Sequence, residues 1–213
     1  MEFQRLLDIV GDEPIFETSL LLAGDVDPAN ARRQLSRWTK AGRLYQLRRG
    51  VYALAPPFQK AKPHPFFVAN RMVRASYVSL QAALAYYGLI PEYVPVVTSV
   101  TTARPARWET PLGVYEFRHV KTSLLFGHRL TDLGGGQKAF VATPEKALLD
   151  LIYLQAGWDS PDYLRELRLQ NLDRLDAEAL RRQADRTGSP KLRRATEFVV
   201  ELRRTEMQEY ETL

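Results

Sequence analysis

At 213 residues, 45% of them hydrophobic, the chain can hold one large or two modest domains with real cores. It has no cysteine, which removes disulfides, thiolate zinc sites and cysteine nucleophiles, and no apolar run approaches the roughly 18 residues of a membrane span. No basic stretch followed by an apolar one opens it as a secretory signal would, so a cytoplasmic, membrane-free protein is expected; the net charge of +5 permits a polyanionic partner without naming one.

The first element is a helix over Glu2–Val10, with Phe3, Leu6, Leu7 and Val10 at helical spacing, broken by Gly11-Asp12-Glu13-Pro14. Phe16 to Ala23 reads as a second short helix, capped by Thr18 or Ser19 and ended by Gly24. A third helix begins at Asp27, a good N-cap, with Pro28 at its first position. Ala31, Leu35 and Trp38 form its apolar stripe, and Gly42 supplies a left-handed stop. Asn30, Arg33, Ser36, Arg37 and Lys40 fall on the opposite side, with Arg32 toward the flank.

Two strand-like runs follow, Arg43–Leu47 and Val51–Leu54, around an Arg48-Arg49-Gly50 turn. Between residues 27 and 54 seven side chains are basic and only Asp27 is acidic. Helix, helix, basic helix and basic hairpin is the order of a winged helix-turn-helix. Arg33, Ser36, Arg37 and Lys40 would project into the major groove of double-stranded DNA, with Asn30 and Arg32 near its N-terminal edge and Arg32 placed for a phosphate. Arg48 and Arg49 would touch phosphates or the minor groove from the wing. The bland reading, charges that merely solvate a helix face, predicts no effect of their removal.

Ala55–Pro65 holds four prolines in eleven residues and reads as a stiff, extended boundary. The expected division is 1–57 for the winged helix, 58–65 for the linker and 66–213 for a second domain. That second part reads as a helix over Phe66–Arg74, then a helix from a Ser79 cap to Tyr87 with Gly88 as its end. Strands are expected over Tyr93–Thr102, Val114–Val120 and Ala139–Ala142, with turns at Thr110–Gly113 and Gly134–Gly136. Thr143-Pro144 starts a helix over Glu145–Leu154 that buries Ala147, Leu148, Leu151 and Ile152, with Lys146 and Asp150 toward the other face. Residues 160–213 are helical and charge-balanced, eleven basic against eleven acidic. The fold class is therefore α+β.

RQLSRWTKAGRLYQLRRGVYAL, followed by SLQAALAYYGLI and then TPEKALLDLIYL, resembles the AbiEi family of abortive-infection antitoxins. The resemblance implies a winged helix over 1–57 joined to an antitoxin domain over roughly 66–210. It implies repression of the protein's own operon through promoter inverted repeats. It also implies a functional partner, a nucleotidyltransferase toxin, counteracted in the type IV arrangement where the two proteins need not touch. Two readings of TPEKALLD stand side by side: its polar residues only cap and orient a core helix, or Lys146 and Asp150, an i, i+4 pair, lie on a surface needed for antitoxicity.

No catalytic residues, cofactor or metal are expected. His64, His119 and His128 are scattered, and none has a second histidine at i+3 or i+4. Gly134-Gly-Gly136-Gln-Lys138 does not fit the GxxxxGK[ST] phosphate loop. A restriction-type nuclease would want an acid and a lysine two residues apart on a strand. Glu116-Phe-Arg118 places arginine there, with no aspartate between Asp27 and Asp132 to serve as a further ligand. The alternative function is a winged-helix regulator whose second domain senses a ligand or protein and has nothing to do with a toxin.

Overall fold

The helix α1 (Phe3–Val10) buries Leu6 and Val10, as its apolar spacing requires, and ends where Gly11 takes φ +59° and donates to the Leu7 carbonyl at 2.9 Å. The computed structural model describes residues 2–22, 27–91, 94–155 and 161–211. The expected second helix is shorter than its sequence suggests. Phe16–Glu17 form a strand, β1, and only Thr18–Leu21 are helical, α2. Phe16 is buried and stacks on Tyr52 at 5.8 Å, and its extended backbone pairs with β3 (Val51–Leu54). Neither Thr18 nor Ser19 caps α2; Glu17 stands at the N-cap, without a side-chain bond. The expected end at Ala23–Gly24 lies outside the described residues.

The long helix α3 (Pro28–Lys40) begins as read: both Asp27 carboxylate oxygens accept backbone N–H groups, from Ala29 and Asn30, at 3.0 Å. Gly42 at φ +70° and the Arg43 N–H on the Trp38 carbonyl close its far end. β2 (Leu44–Arg48) runs antiparallel to β3, with a register shift between Gln46 and Arg48 that makes a bulge beside the turn joining them. The small sheet has the order β1-β3-β2.

The second part is built on a mixed six-stranded sheet, order β6-β7-β5-β4-β9-β8. Its elements in chain order are α4 (Pro65–Met72), β4 (Ser76–Val78), α5 (Leu80–Tyr86), β5 (Val96–Thr101), β6 (Ala106–Thr110) and β7 (Gly113–His119). They continue with β8 (His128–Asp132), β9 (Lys138–Ala142), α6 (Pro144–Leu154), α7 (Pro161–Glu166), α8 (Ala177–Thr187) and α9 (Pro190–Glu211). The strands β4, β6 and β8 are absent from the sequence reading. The first is only three residues long; the other two are the outer strands of the sheet, ARWET and HRLTD, too polar to read as core strands. Ser79 sits at the N-cap of α5 but makes no capping bond, because its hydroxyl is used elsewhere.

The two parts share a core. β3 is buried on both faces: Tyr52 and Leu54 pack with Leu6, Phe16, Leu35 and Trp38, while Val51 and Ala53, with Ile15 and Leu47, join the large core of the second part. The proline-rich segment between them is tied down. The Ala55 N–H bonds to the Arg43 carbonyl, and Phe58 packs edge-on against Phe3 at 4.9 Å. The Gln137 side chain accepts from the His64 N–H at 2.8 Å and donates to the Lys62 carbonyl at 3.0 Å.

Candidate nucleic-acid interface

α3 turns its two faces in opposite directions. Ala31, Leu35 and Trp38 are buried in the small core, which leaves Asn30, Arg32, Arg33, Ser36, Arg37 and Lys40 all exposed. At 100° per residue Arg33 and Lys40 stand about 180° from the buried stripe, and Arg32 stands about 90° from it, at the flank. Among the described residues no carboxylate forms an ion pair with any of these four cations. Among the described residues nothing neutralises their charge.

Arg43, which belongs to the same basic stretch, is used differently: its guanidinium lies over the Phe3 ring at 5.0 Å, bracing α1. At the β2–β3 turn, Arg49 is exposed and Arg48 half-buried. An Arg48 guanidinium nitrogen donates to the Arg49 carbonyl at 3.5 Å, and its Nε has no protein partner. Gly50 turns the hairpin at φ +82°, and Thr18 clamps its carbonyl with both backbone N–H (3.0 Å) and hydroxyl (3.4 Å). The β2–β3 turn is thus held at its tip by the helical turn α2, a contact with no signal in the local sequence of the hairpin.

Lys146 and Asp150 do not lie on a surface, which corrects the sequence expectation. Their side chains are 3% and 2% exposed and form an ion pair inside the second part. One Asp150 oxygen accepts from the Tyr77 hydroxyl at 3.0 Å and the Ser79 hydroxyl at 2.8 Å; the other meets the Lys146 ammonium. Lys146 also lies against the rings of Phe126 (5.0 Å) and Tyr77 (5.6 Å). Burial raises the Asp150 carboxyl above its usual range, against the opposing pull of Lys146 and the two hydroxyls. Burial likewise raises the Tyr77 hydroxyl, helped by the Asp150 charge. The rest of the motif is structural too: the Thr143 hydroxyl caps α6 at the Lys146 N–H (3.3 Å), and buried Glu145 accepts the Asp176 N–H at 3.0 Å ahead of α8. The missed signal is the absence of a wet face. Leu148, Leu149, Leu151 and Ile152 surround the polar positions, so the helix is apolar on nearly all sides and its charges go inside with it.

The histidines do different jobs. His64 caps α4 by accepting the Phe66 N–H on Nδ1 at 3.1 Å, His119 bonds the Ala103 carbonyl at 3.0 Å, and His128 stacks on Tyr77 at 4.5 Å. Burial lowers the pKa of both His64 and His128. Among the described residues no three His, Cys, Asp or Glu side chains converge as a metal site would need. None of the described helices is long and apolar enough to cross a membrane. Gly134–Gly136 turns β8 into β9, with Asp132 accepting the Gly134 N–H at 2.8 Å. Glu116 is half-buried on β7 and paired with Arg107 and Arg118.

Residues 26–55 match the family model described as "Transcriptional regulator, AbiEi antitoxin". The matched segment contains α3, β2 and β3 and stops before α4. No curated protein matches the chain.

Proposed function

We propose that this chain is a DNA-binding antitoxin without enzymatic activity, which represses its own toxin–antitoxin operon and counteracts a nucleotidyltransferase toxin. In this reading residues 1–57 are a winged helix-turn-helix: α3 is the recognition helix and the β2–β3 turn is the wing. The observation that carries it is the exposed cationic face of α3, without a carboxylate partner among the described residues, followed at once by the arginine turn. The match over residues 26–55 supports a transcriptional regulator on independent grounds.

Arg33 and Arg37 can each meet guanine O6 and N7 with two hydrogen bonds, which discriminates by about 1–3 kcal/mol per base. Ser36, Lys40 and Asn30 border them, and Arg32, at the flank, suits a phosphate. Arg48 and Arg49 serve the backbone, contributing affinity without sequence choice. The test is fluorescence anisotropy with duplex DNA from immediately upstream of the protein's own gene. Tight, salt-sensitive binding that a random duplex does not match is the expected result. Equal affinity for both duplexes would remove specific repression. The antitoxin half of the reading rests on the family resemblance and is tested by co-expression: growth arrest by a neighbouring nucleotidyltransferase should be relieved by this chain.

A further inference from the structure

Beside the wing, on the second part of the molecule, a shallow cleft gathers three more cations. It is lined by Arg71 of α4, Arg74 of the turn that follows it and Lys138 of β9, with Phe67, Leu130 and Phe140 as its apolar walls. The cleft is connected to the wing through a short chain of contacts. Glu17 pairs in register with Val51 of β3, its neighbour Thr18 holds the Gly50 carbonyl at the wing tip, and both Glu17 carboxylate oxygens accept from Arg74, at 2.8 and 3.0 Å. Arg48, Arg49, Arg74, Arg71 and Lys138 thus follow one another from the wing tip across onto the sheet of the second part.

The charges in this tract are available. Glu17 is the one carboxylate lining the cleft, and Arg74 satisfies it while remaining 79% exposed at its side chain. Lys138 is exposed and makes no ion pair among the described residues. Two donors beside the cleft, Asn70 Nδ2 and Arg71 Nε, are buried without a partner among the described residues, although Asn70 Oδ1 and an Arg71 terminal nitrogen are anchored on the Phe140 N–H and the Ile15 carbonyl. Leu130 and Phe140 are 55% and 45% exposed, large apolar groups facing solvent where a protein surface has no need of them. Fixed donors and cations beside C–H-rich walls fit a sugar–phosphate backbone, the phosphate on the cations and the deoxyribose against the rings.

We infer that this cleft is a second DNA contact, taking backbone phosphates of the duplex that runs past the wing, so that the second part of the chain extends the footprint set by α3. The inference rests on the DNA-binding reading above. Its partner is the flank of the same duplex, so its signature is dependence on duplex length.

The experiment compares promoter duplexes of about 15 and about 35 base pairs, the shorter spanning one recognition site and wing. The variant Lys138→Glu, whose side chain makes no bond or ion pair among the described residues, should bind the short duplex as the unaltered protein does. On the long duplex it should bind at least threefold more weakly, with a log–log salt slope shallower by about 0.9, as one lost phosphate contact requires. Lys138→Gln, which removes the charge without reversing it, should show the same slope change and guards against a folding artefact. Equal affinities and slopes on the long duplex, or the same loss on both lengths, would overturn the inference. Arg33→Ala/Arg37→Ala separates it from the function reading: that variant should lose both duplexes. If it binds both normally, the α3 assignment falls and not the cleft. If the unaltered chain binds neither duplex, both fall.

Discussion

The buried pair Lys146–Asp150 lends itself to a stability experiment because its environment sets the expected size of the effect. Asp150→Asn keeps an oxygen to accept from Tyr77 and Ser79 but leaves the Lys146 ammonium without a counter-charge, at a position 3% exposed. Breaking a buried pair by removing one partner costs about 3–5 kcal/mol. The rings of Phe126 and Tyr77 offset about 1 kcal/mol of that, which leaves a loss of about 3 kcal/mol. Were the pair on the surface, as an i, i+4 Lys–Asp spacing suggests, the loss would be about 0.3–0.5 kcal/mol. With a urea m-value of about 2 kcal/mol/M, the expected fall in the unfolding midpoint is roughly 1.5 M against 0.2 M, a difference equilibrium urea unfolding resolves easily. Lys146→Met should also destabilise, while Lys146→Met/Asp150→Asn, with no charge left to bury, should lose much less than the two singles added together. The pH dependence has a definite sign. In Lys146→Met only the Tyr77 and Ser79 hydroxyls still oppose desolvation, so the Asp150 carboxyl is raised in the folded state, and its contribution is present below the unfolded carboxylate value and lost as pH rises through the folded one. The deficit of that variant should therefore be larger at pH 8 than at pH 5. Single variants within about 0.5 kcal/mol of the unaltered protein, or strict additivity in the double, would refute a buried clamp.

Replacing Arg33 or Arg37 by alanine should cost about 1–3 kcal/mol on the operator and relax base preference, read by anisotropy on single-base operator variants. Arg48→Ala/Arg49→Ala should instead weaken all duplexes alike and flatten the salt dependence. If about five phosphates are neutralised in the intact complex, the slope is about −4.5 and a fourfold rise in salt weakens binding some 500-fold, so a salt-insensitive curve contradicts the interface. Asp27→Ala removes acceptors for two backbone N–H groups at the start of α3 and should lower stability by about 1 kcal/mol in the same urea assay. His64 and His128 have lowered values in the folded state, a contribution present above the ordinary histidine range and lost as pH falls through it. Thermal midpoints should drop between pH 7 and pH 5, and a His128→Phe variant should show a smaller drop.

α3 was legible because its start, stripe and stop are all local: Asp27, Ala31-Leu35-Trp38 and Gly42 each act within a turn of the helix, and the residues opposite the stripe had to face out. What failed to show was whatever depended on a partner distant in sequence. Phe16 has the composition of a helix start, yet Tyr52, 36 positions on, draws it into a ladder. Lys146 and Asp150 have the spacing of a surface pair, yet Tyr77 and Ser79, more than seventy positions before Asp150, supply the bonds that let them be buried. The outer strands β6 and β8 carry too many polar residues to be read as core strands, and only the sheet gives them a place.

The boundary between the two parts follows the same logic and bears on how they work together. Val51-Tyr-Ala-Leu54 has no polar alternation, and a strand without a wet side is buried on both. The structure meets that demand by setting Tyr52 and Leu54 against α3 and Val51 and Ala53 against the second part. The same strand therefore carries the wing turn at one end and separates two cores along its length. A change that loosened the second part would reach Val51, the residue next to Gly50, before it reached α3. In the proposed DNA-binding reading, the β2–β3 turn, and with it the sequence-independent share of affinity, is coupled to the second part through Val51.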